Sequence, residues 1–309
     1  MDFQTCLRAC PCVLMEGALG ERLKREYRLI IDGPVAMADL LYRPAGRRAL
    51  QALWREYRAV AERYGLPFLA ATPTRRCNRA RVAAAGCEAA IVADNVALLR
   101  EVQAESQAPM FVGGLMGCRG DAYTGEGRLG EAEAYEFHRW QAGLFAEAGA
   151  DYLFAGIMPT LPEACGMARA MAETGLPYLI SFTIGRDGCL VDGTAIHDAI
   201  ARIDGQEFAA PALYMANCVH PSIVREALCQ PVNRTALVRA RFRGIQANTS
   251  ALSYAELDGA ADLKTSPPEE LAGEMARLRD EHGFVLFGGC CGTDQRHIEA
   301  LARRLCAEG

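Results

Sequence analysis

Val285-Leu286-Phe287-Gly288-Gly289-Cys290-Cys291-Gly292-Thr293-Asp294, close to the end of the chain, runs from an apolar strand pattern through glycines and two adjacent cysteines into the start of a helix. Neighbouring side chains on an extended strand point to opposite faces. Two adjacent cysteines therefore grip one ion only where the backbone bends between or beside them. The flanking glycines permit such a bend, because they tolerate positive φ and close approach of other groups. By itself the stretch reads equally well as part of a metal site or as a glycine-rich turn with two cysteines buried as small hydrophobes. What it does define is a repeating unit of strand, loop and helix.

That unit recurs upstream. Strand patterns stand at Cys12-Val13-Leu14-Met15, Pro67-Phe68-Leu69-Ala70-Ala71, Pro109-Met110-Phe111-Val112-Gly113-Gly114 and Asp151-Tyr152-Leu153-Phe154-Ala155. They continue at Pro177-Tyr178-Leu179-Ile180-Ser181-Phe182-Thr183, Pro211-Ala212-Leu213-Tyr214-Met215-Ala216, Phe242-Arg243-Gly244-Ile245-Gln246-Ala247 and residues 284–287. Helical periodicity separates them, over residues 47–64 with Leu50, Leu53, Trp54, Tyr57 and Ala61 on one face, then 75–86, 88–103, 131–148, 161–174, 194–203, 221–228 and 294–306. Ser266-Pro267-Pro268-Glu269 predicts one more helix start, with Ser266 as a hydroxyl N-cap. Eight strand–helix units predict an α/β fold, a (β/α)8 TIM barrel, as one domain over residues 1–309. The competing doubly wound sheet lacks support, because no Gly-x-Gly-x-x-Gly follows the first strand.

Composition narrows the class. Half of the 309 residues are hydrophobic and the formal charge is −5, with Lys and Arg dispersed, so no electrostatic footprint for nucleic acid exists. No apolar run approaches the ~20 residues that span a bilayer. The start, Met1-Asp2-Phe3-Gln4-Thr5-Cys6, lacks the basic and apolar regions of a secretory signal. Thirteen cysteines in a large chain of this kind fit reduced thiols in a cytoplasm, some of them metal ligands, better than a disulfide framework.

In a (β/α)8 barrel the active site forms at the C-terminal strand ends. Those ends carry Glu16-Gly17, Thr72, Met116, Gly156, Ser181 to Thr183, Asn217-Cys218, Asn248 and Cys290-Cys291. Glu16, Gly17, Thr72, Ser181, Asn217 and Asn248 are thus the expected substrate-binding residues, and Cys218, Cys290 and Cys291 converge from strands six and eight. Three thiolates suit zinc, which prefers soft ligands in tetrahedral geometry, and leave a fourth position for an exchangeable group. Such a site lowers the pKa of an incoming thiol and presents it as a nucleophile, so methyl or alkyl transfer to sulfur follows. His138, inside a helix, and His220, beside an already complete set of three cysteines, are read as structural. Residues 117–130 form a long glycine-rich loop whose Asp121, Tyr123 and Glu126 are candidates to cover the pocket.

The sequence resembles the zinc-dependent homocysteine S-methyltransferases, a family that includes betaine–homocysteine and S-methylmethionine–homocysteine methyltransferases and the homocysteine domain of methionine synthase. Gly288-Gly289-Cys290-Cys291-Gly292-Thr293 and Asn217-Cys218-Val219-His220-Pro221 look like its two metal-binding signatures. Ser181-Phe182-Thr183 with Asp187-Gly188 and Asp192-Gly193-Thr194 also matches, as does Ala148-Gly149-Ala150-Asp151. The resemblance implies zinc on Cys218, Cys290 and Cys291, a small-molecule thiol acceptor, an activated methyl donor, and a role in methionine biosynthesis. A corrinoid protein as partner and a homo-oligomer are compatible with it. Two other functions share these residues: a corrinoid-linked methyltransferase subunit acting on a methylated thiol or amine, and a non-catalytic zinc- or thiol-binding barrel.

Departures from the family pattern fall at the acceptor's amino end. The family's Asp-Gly after strand one is Glu16-Gly17 here, and the glutamate that follows strand four is absent from Phe154-Ala155-Gly156-Ile157-Met158-Pro159. After strand two the chain reads Ala70-Ala71-Thr72-Pro73-Thr74-Arg75-Arg76 in place of a Glu-Thr-Asn-Thr type of segment. An ammonium that loses one carboxylate loses a charge-assisted hydrogen bond, about 1.5–3 kcal/mol, or more than tenfold in affinity. The sequence therefore predicts an acceptor that is homocysteine or a related thiol lacking the α-amino group, with Arg75 and Arg76 available to an anion.

Overall fold

The structure is a computed structural model and describes residues 1–251 and 266–307. Eight parallel strands close into a barrel in sequence order: β1 (Val13–Met15), β2 (Phe68–Ala71), β3 (Met110–Gly117), β4 (Tyr152–Met158), β5 (Tyr178–Phe182), β6 (Leu213–Val219), β7 (Phe242–Ala247) and β8 (Leu286–Gly289). Closure runs through β1 and β8, with Val13 opposite Leu286 and Leu14 opposite Phe287. The expected barrel is the observed one, and all eight strands lie within three residues at each end of the predicted stretches. β3 extends to Gly117 and carries Leu115 and Met116 to the rim.

The helices cover the barrel because their apolar stripes meet the outward side chains of the strands. In chain order they are α1 (Phe3–Ala9), α2 (Gly20–Arg25), α3 (Pro44–Arg63), α4 (Arg79–Ala84), α5 (Ala90–Ala104) and α6 (Glu131–Glu147). Then come α7 (Leu161–Ala172), α8 (Ile196–Asp204), α9 (Pro221–Leu228), α10 (Ala236–Arg241), α11 (Pro268–His282) and α12 (Gln295–Ala307). On α3 the predicted face is the buried one: Leu50, Leu53, Trp54, Tyr57 and Ala61 all lie in the outer core. One cap differs from expectation. Pro267, not Ser266, is the N-cap of α11, and Ser266 instead donates its hydroxyl to the Thr249 carbonyl at 2.7 Å.

The two ends of the barrel differ in chemistry, and that difference positions the site. Inside, Val13, Met15, Leu69, Ala71, Phe111, Tyr152, Phe154, Leu179, Leu213, Met215 and Leu286 form an apolar column. The helix α1, absent from the sequence-based expectation, plugs its N-terminal mouth: Phe3 stacks on Tyr152 at 4.6 Å and meets Phe111 edge-on at 5.7 Å. Two residues further along their strands, at the next inward positions, Ser181, Asn217 and Gln246 replace hydrocarbon with polar groups. The C-terminal mouth is therefore the polar end. Among the described residues no helix is long and apolar enough to cross a membrane.

Candidate functional site

Cys218 reaches the mouth through a distortion of β6. Its φ is +55°, in the left-handed region, and the pairing of β6 with β7 slips there, with Asn217 opposite Gln246 but Val219 opposite Ala247. This is a bulge, which re-aims a side chain at the cost of roughly 1–3 kcal/mol of backbone strain in a non-glycine residue. Cys290 and Cys291 follow β8. The Cys290 N–H still donates to Ala247 in the ladder at 2.7 Å, and the chain then turns at Cys291 and Gly292. Gly292 has φ +83°, and a Cβ there would lie 2.0 Å from Thr249 Oγ1, so only glycine fits. The bend inferred from the sequence is thus present immediately after the double cysteine.

The three sulfurs lie within 4.8 Å of one another. Cys218 Sγ is 3.5 Å from Cys291 Sγ, and Cys290 Sγ is 3.9 Å from Cys291 Sγ. Thiolates at about 2.3 Å from a tetrahedral zinc stand about 3.8 Å apart. Both the donor set and these separations therefore fit zinc. The thiols also share charge unequally. Hydrogen bonds from the Cys290 and Cys291 thiols, and further ones from the Tyr123 hydroxyl and the Cys291 N–H, hold Cys218 well below the usual thiol range in spite of its burial. Cys290 and Cys291, as the donors to Cys218, are pushed up.

Beside the sulfurs runs a polar chain. Glu16 is buried, and its carboxyl accepts from the Ala71 N–H at 3.2 and 3.3 Å and from the Gln246 side chain. Burial pushes its pKa up to about 8, against the pull of its own N–H, the Ala71 N–H and Gln246. Gln246 in turn accepts from Asn217 Nδ2 at 2.6 Å. Asn248 points its amide at Cys218 Sγ, 3.9 Å away, and fixes its other end by accepting from the Ser250 N–H at 2.9 Å. The hydroxyls of Ser181 and Thr183 are buried with no hydrogen-bond partner among the described residues. An orphaned buried hydroxyl costs about 1–3 kcal/mol, so these two groups are suited to an incoming ligand.

Thr72 and Gly17, also expected at the rim, are engaged by the chain itself. Thr72 Oγ1 lies 2.7 Å from Thr74 Oγ1 and accepts from the Leu115 N–H at 3.2 Å, which stitches β2 to β3. At Gly17 a Cβ would meet the Tyr57 ring at 2.8 Å, so this glycine makes room for the ring whose hydroxyl donates to the Ala18 carbonyl at 2.8 Å. His220 caps α9, its Nδ1 accepting from the Ser222 N–H at 3.2 Å, and His138 pairs with buried Glu163 at 3.1 Å. The structural reading of both histidines agrees with these contacts.

At Gly156, inside β4, Leu115 closes the space that a side chain would need. A Cβ on Gly156 would stand 2.7 Å from Leu115 Cδ1. The next residue, Ile157, has φ +59°, and the β4–β5 pairing slips between Ala155 and Met158. Residues that sequence reasoning overlooked are Gln246, whose signal was a lone amide inside an apolar strand, and Leu115, which lay beyond the predicted end of strand three. Tyr123 was named as a cover residue, but its bond to Cys218 was not foreseeable from a loop.

The family model for homocysteine S-methyltransferases matches residues 13–305. The chain belongs to the homocysteine S-methyltransferase family. Among curated proteins it is 32% identical to homocysteine S-methyltransferase YbgG of Bacillus subtilis over 187 residues, 59% of this chain and 56% of that protein. It is 25% identical to betaine–homocysteine S-methyltransferase 1 of Xenopus laevis over 190 residues, 58% of this chain and 46% of that protein. The chain thus spans about half the length of the curated relatives it matches. The metallated form of the homocysteine methyltransferase MmuM from Escherichia coli superposes with a TM-score of 0.77 at 22% identity, covering 96% of this chain and 98% of that one. At that identity the likeness speaks for the barrel fold of this family member.

Proposed function

We propose that this protein is a zinc-dependent S-methyltransferase that moves a methyl group from an activated donor to a thiol. The observation that carries the proposal is the cluster of Cys218, Cys290 and Cys291 sulfurs, within 4.8 Å of one another at the polar mouth of the barrel. Family membership supports the same chemistry. Cys218, Cys290 and Cys291 would hold zinc, which would supply a Lewis acid that lowers the pKa of an acceptor thiol toward neutrality. The chain's own residues set up the rest. Asn248 and Tyr123 hydrogen-bond to Cys218 and fix its direction. Gln246 links Glu16 to Asn217, so the mouth is held rigid beside the cluster. In the transfer the acceptor sulfur's electron pair forms the new bond to the methyl carbon, and the bond from that carbon to the donor heteroatom breaks with its pair leaving on the donor. Positioning of the two reactants in line is the protein's main contribution.

For the acceptor we propose homocysteine or a related thiol that lacks the α-amino group, with the second favoured. An ammonium buried at this mouth would find one carboxyl, Glu16, and that carboxyl is mostly protonated at neutral pH. Gly156 offers no side chain, and Leu115 occupies the space that one would need. A carboxylate on the acceptor instead finds two unengaged hydroxyls, Ser181 and Thr183.

Two measurements test the proposal. Zinc content of the purified protein should approach one per chain, and methyl transfer to a thiol should be detectable with a sulfonium, quaternary ammonium, folate or corrinoid donor. Zinc without turnover across those donors would leave a thiol-binding barrel, and absence of zinc would remove the reading altogether. Calorimetry then separates the acceptors: micromolar binding of homocysteine would refute the preference for a thiol without the amino group.

A further inference from the structure

The segment between β3 and α6 is built as a cover, and its tip touches the sulfur cluster. Asp121 organises that tip: its Oδ1 accepts from the Tyr123 and Thr124 N–H groups, both at 2.8 Å, and its own N–H donates to the Glu126 carbonyl at 2.9 Å. A Cβ on Gly120 would fall 1.9 Å from that carbonyl, so the two limbs of the segment are in contact. The tip packs outward as well, with Gly125 facing Thr160 and Val191. Both roots of the segment end on one buried carboxylate. Glu163 accepts from the Arg119 N–H at 2.7 Å and the Leu129 N–H at 3.4 Å, and pairs with His138 at 3.1 Å. No exposure remains at Glu163. A carboxylate held there in the first turn of α7 is stabilised by the helix N-terminus.

From this scaffold Tyr123 turns its hydroxyl inward. The hydroxyl hydrogen-bonds to Cys218 and lies near Cys290 and Cys291, while the residue as a whole stays 37% exposed. We infer that residues 118–129 form a latched cover over the thiol cluster, with Tyr123 as the positioning residue that fastens it to Cys218 and Glu163 as the buried anchor of both its roots. Exchange of ligands at the cluster then requires the Tyr123 contact to open. The part of this inference that concerns metal exchange rests on the zinc reading above, whereas the cover itself does not.

The test has two arms, each comparing the wild-type chain with Tyr123→Phe, Tyr123→Ala and Glu163→Gln. In the first, zinc-loaded protein is mixed with excess 4-(2-pyridylazo)resorcinol and the rate of zinc extraction is followed. Loss of one hydrogen bond to the cluster should speed extraction at least about threefold in Tyr123→Phe, and further in Tyr123→Ala. In the second, amide hydrogen exchange is measured on metal-free protein by mass spectrometry. All three variants should exchange faster in peptides covering residues 118–129, with other peptides unchanged. A merely structural tyrosine would lower Tm and spread faster exchange through the barrel, which overturns the inference. Unchanged extraction and unchanged local exchange in Tyr123→Ala also overturn it. If the protein holds no zinc, the metal reading fails alone and the exchange arm still decides the cover.

Discussion

Replacing Glu16 with Gln should separate the acid's energetic cost from its role in binding. Burial lifts the Glu16 pKa from 4.5 to about 8, so in the folded protein the carboxyl keeps its proton long after the unfolded chain has lost it. The sign follows from linkage. Below pH 4.5 both states are protonated and Glu16 imposes no pH-dependent cost. Between 4.5 and about 8 the folded state binds the extra proton, so stability falls as pH rises, by about 1.4 kcal/mol per unit. Above about 8 the full penalty, on the order of 5 kcal/mol, is in force and no longer grows. Gln keeps an oxygen for the Ala71 N–H and does not titrate. The difference in unfolding free energy between Glu16→Gln and wild type, from denaturant titrations at pH 5 to 9, should therefore climb in the variant's favour and level off near pH 8. A difference that stays flat over that range would refute the assignment of Glu16 as a buried, mostly neutral acid.

The same titration discriminates acceptors. An ammonium placed against Glu16 must first ionise it, so binding at pH 7 would release a proton and tighten with pH by up to tenfold per unit until about pH 8. An acceptor without the ammonium can take a hydrogen bond from the neutral acid, and that contribution would be lost above the same pH. Subtracting the pH profile of Glu16→Gln from that of wild type isolates this group from the thiols.

Three other outcomes are expected. Gly156→Glu, combined with Leu115→Ala to clear the Leu115 methyl that stands 2.7 Å from a Cβ there, should strengthen homocysteine binding at least about tenfold by calorimetry. Zinc loading at pH 7 should release protons from the cysteine thiols, read by calorimetry in buffers of differing ionisation enthalpy, whereas Cys218→Ala and Cys290→Ala should each fail to retain stoichiometric zinc by metal analysis. Finally, metal-free Cys218→Gly should be more stable than Cys218→Ala by about 1 kcal/mol in denaturant, because glycine relieves the +55° φ that alanine retains.

Much of this site was legible in the sequence for one physical reason. Once eight strand–helix units are counted, the pleat and the barrel dictate which end of each strand meets the others, so Cys218 and Cys290-Cys291 had to share a rim. Their contact at 3.5 and 3.9 Å was the detail left to structure. What stayed illegible depended on fine geometry. The left-handed φ of Cys218 leaves no compositional trace, since the residue is chosen for its sulfur and not for its backbone. The α1 plug spans seven residues, too short for a periodic pattern to declare itself, and Phe3 gains its meaning only from Phe111 and Tyr152 far along the chain. Gln246 looked like a lone polar interruption until its strand was placed between Glu16 and Asn217.

Two strands, β4 and β6, end in the same way: a non-glycine residue in the left-handed region, with a slip in pairing to the next strand. At Cys218 the strain has an evident return, because it turns a sulfur toward two others. At Ile157 a β-branched residue bears the same strain, where such a backbone is rarest, and the inward neighbour Gly156 contributes no side chain at all. Leu115 fills the gap, so a carboxylate at Gly156 would need the room of Leu115. Glu16, the acid that the mouth does hold, is mostly neutral because it is buried. On the proposed reading the acceptor's far end meets Leu115 and Gly156 while zinc is held by Cys218, Cys290 and Cys291, so substitutions at 115 and 156 should alter the choice of thiol and leave zinc retention to the three cysteines.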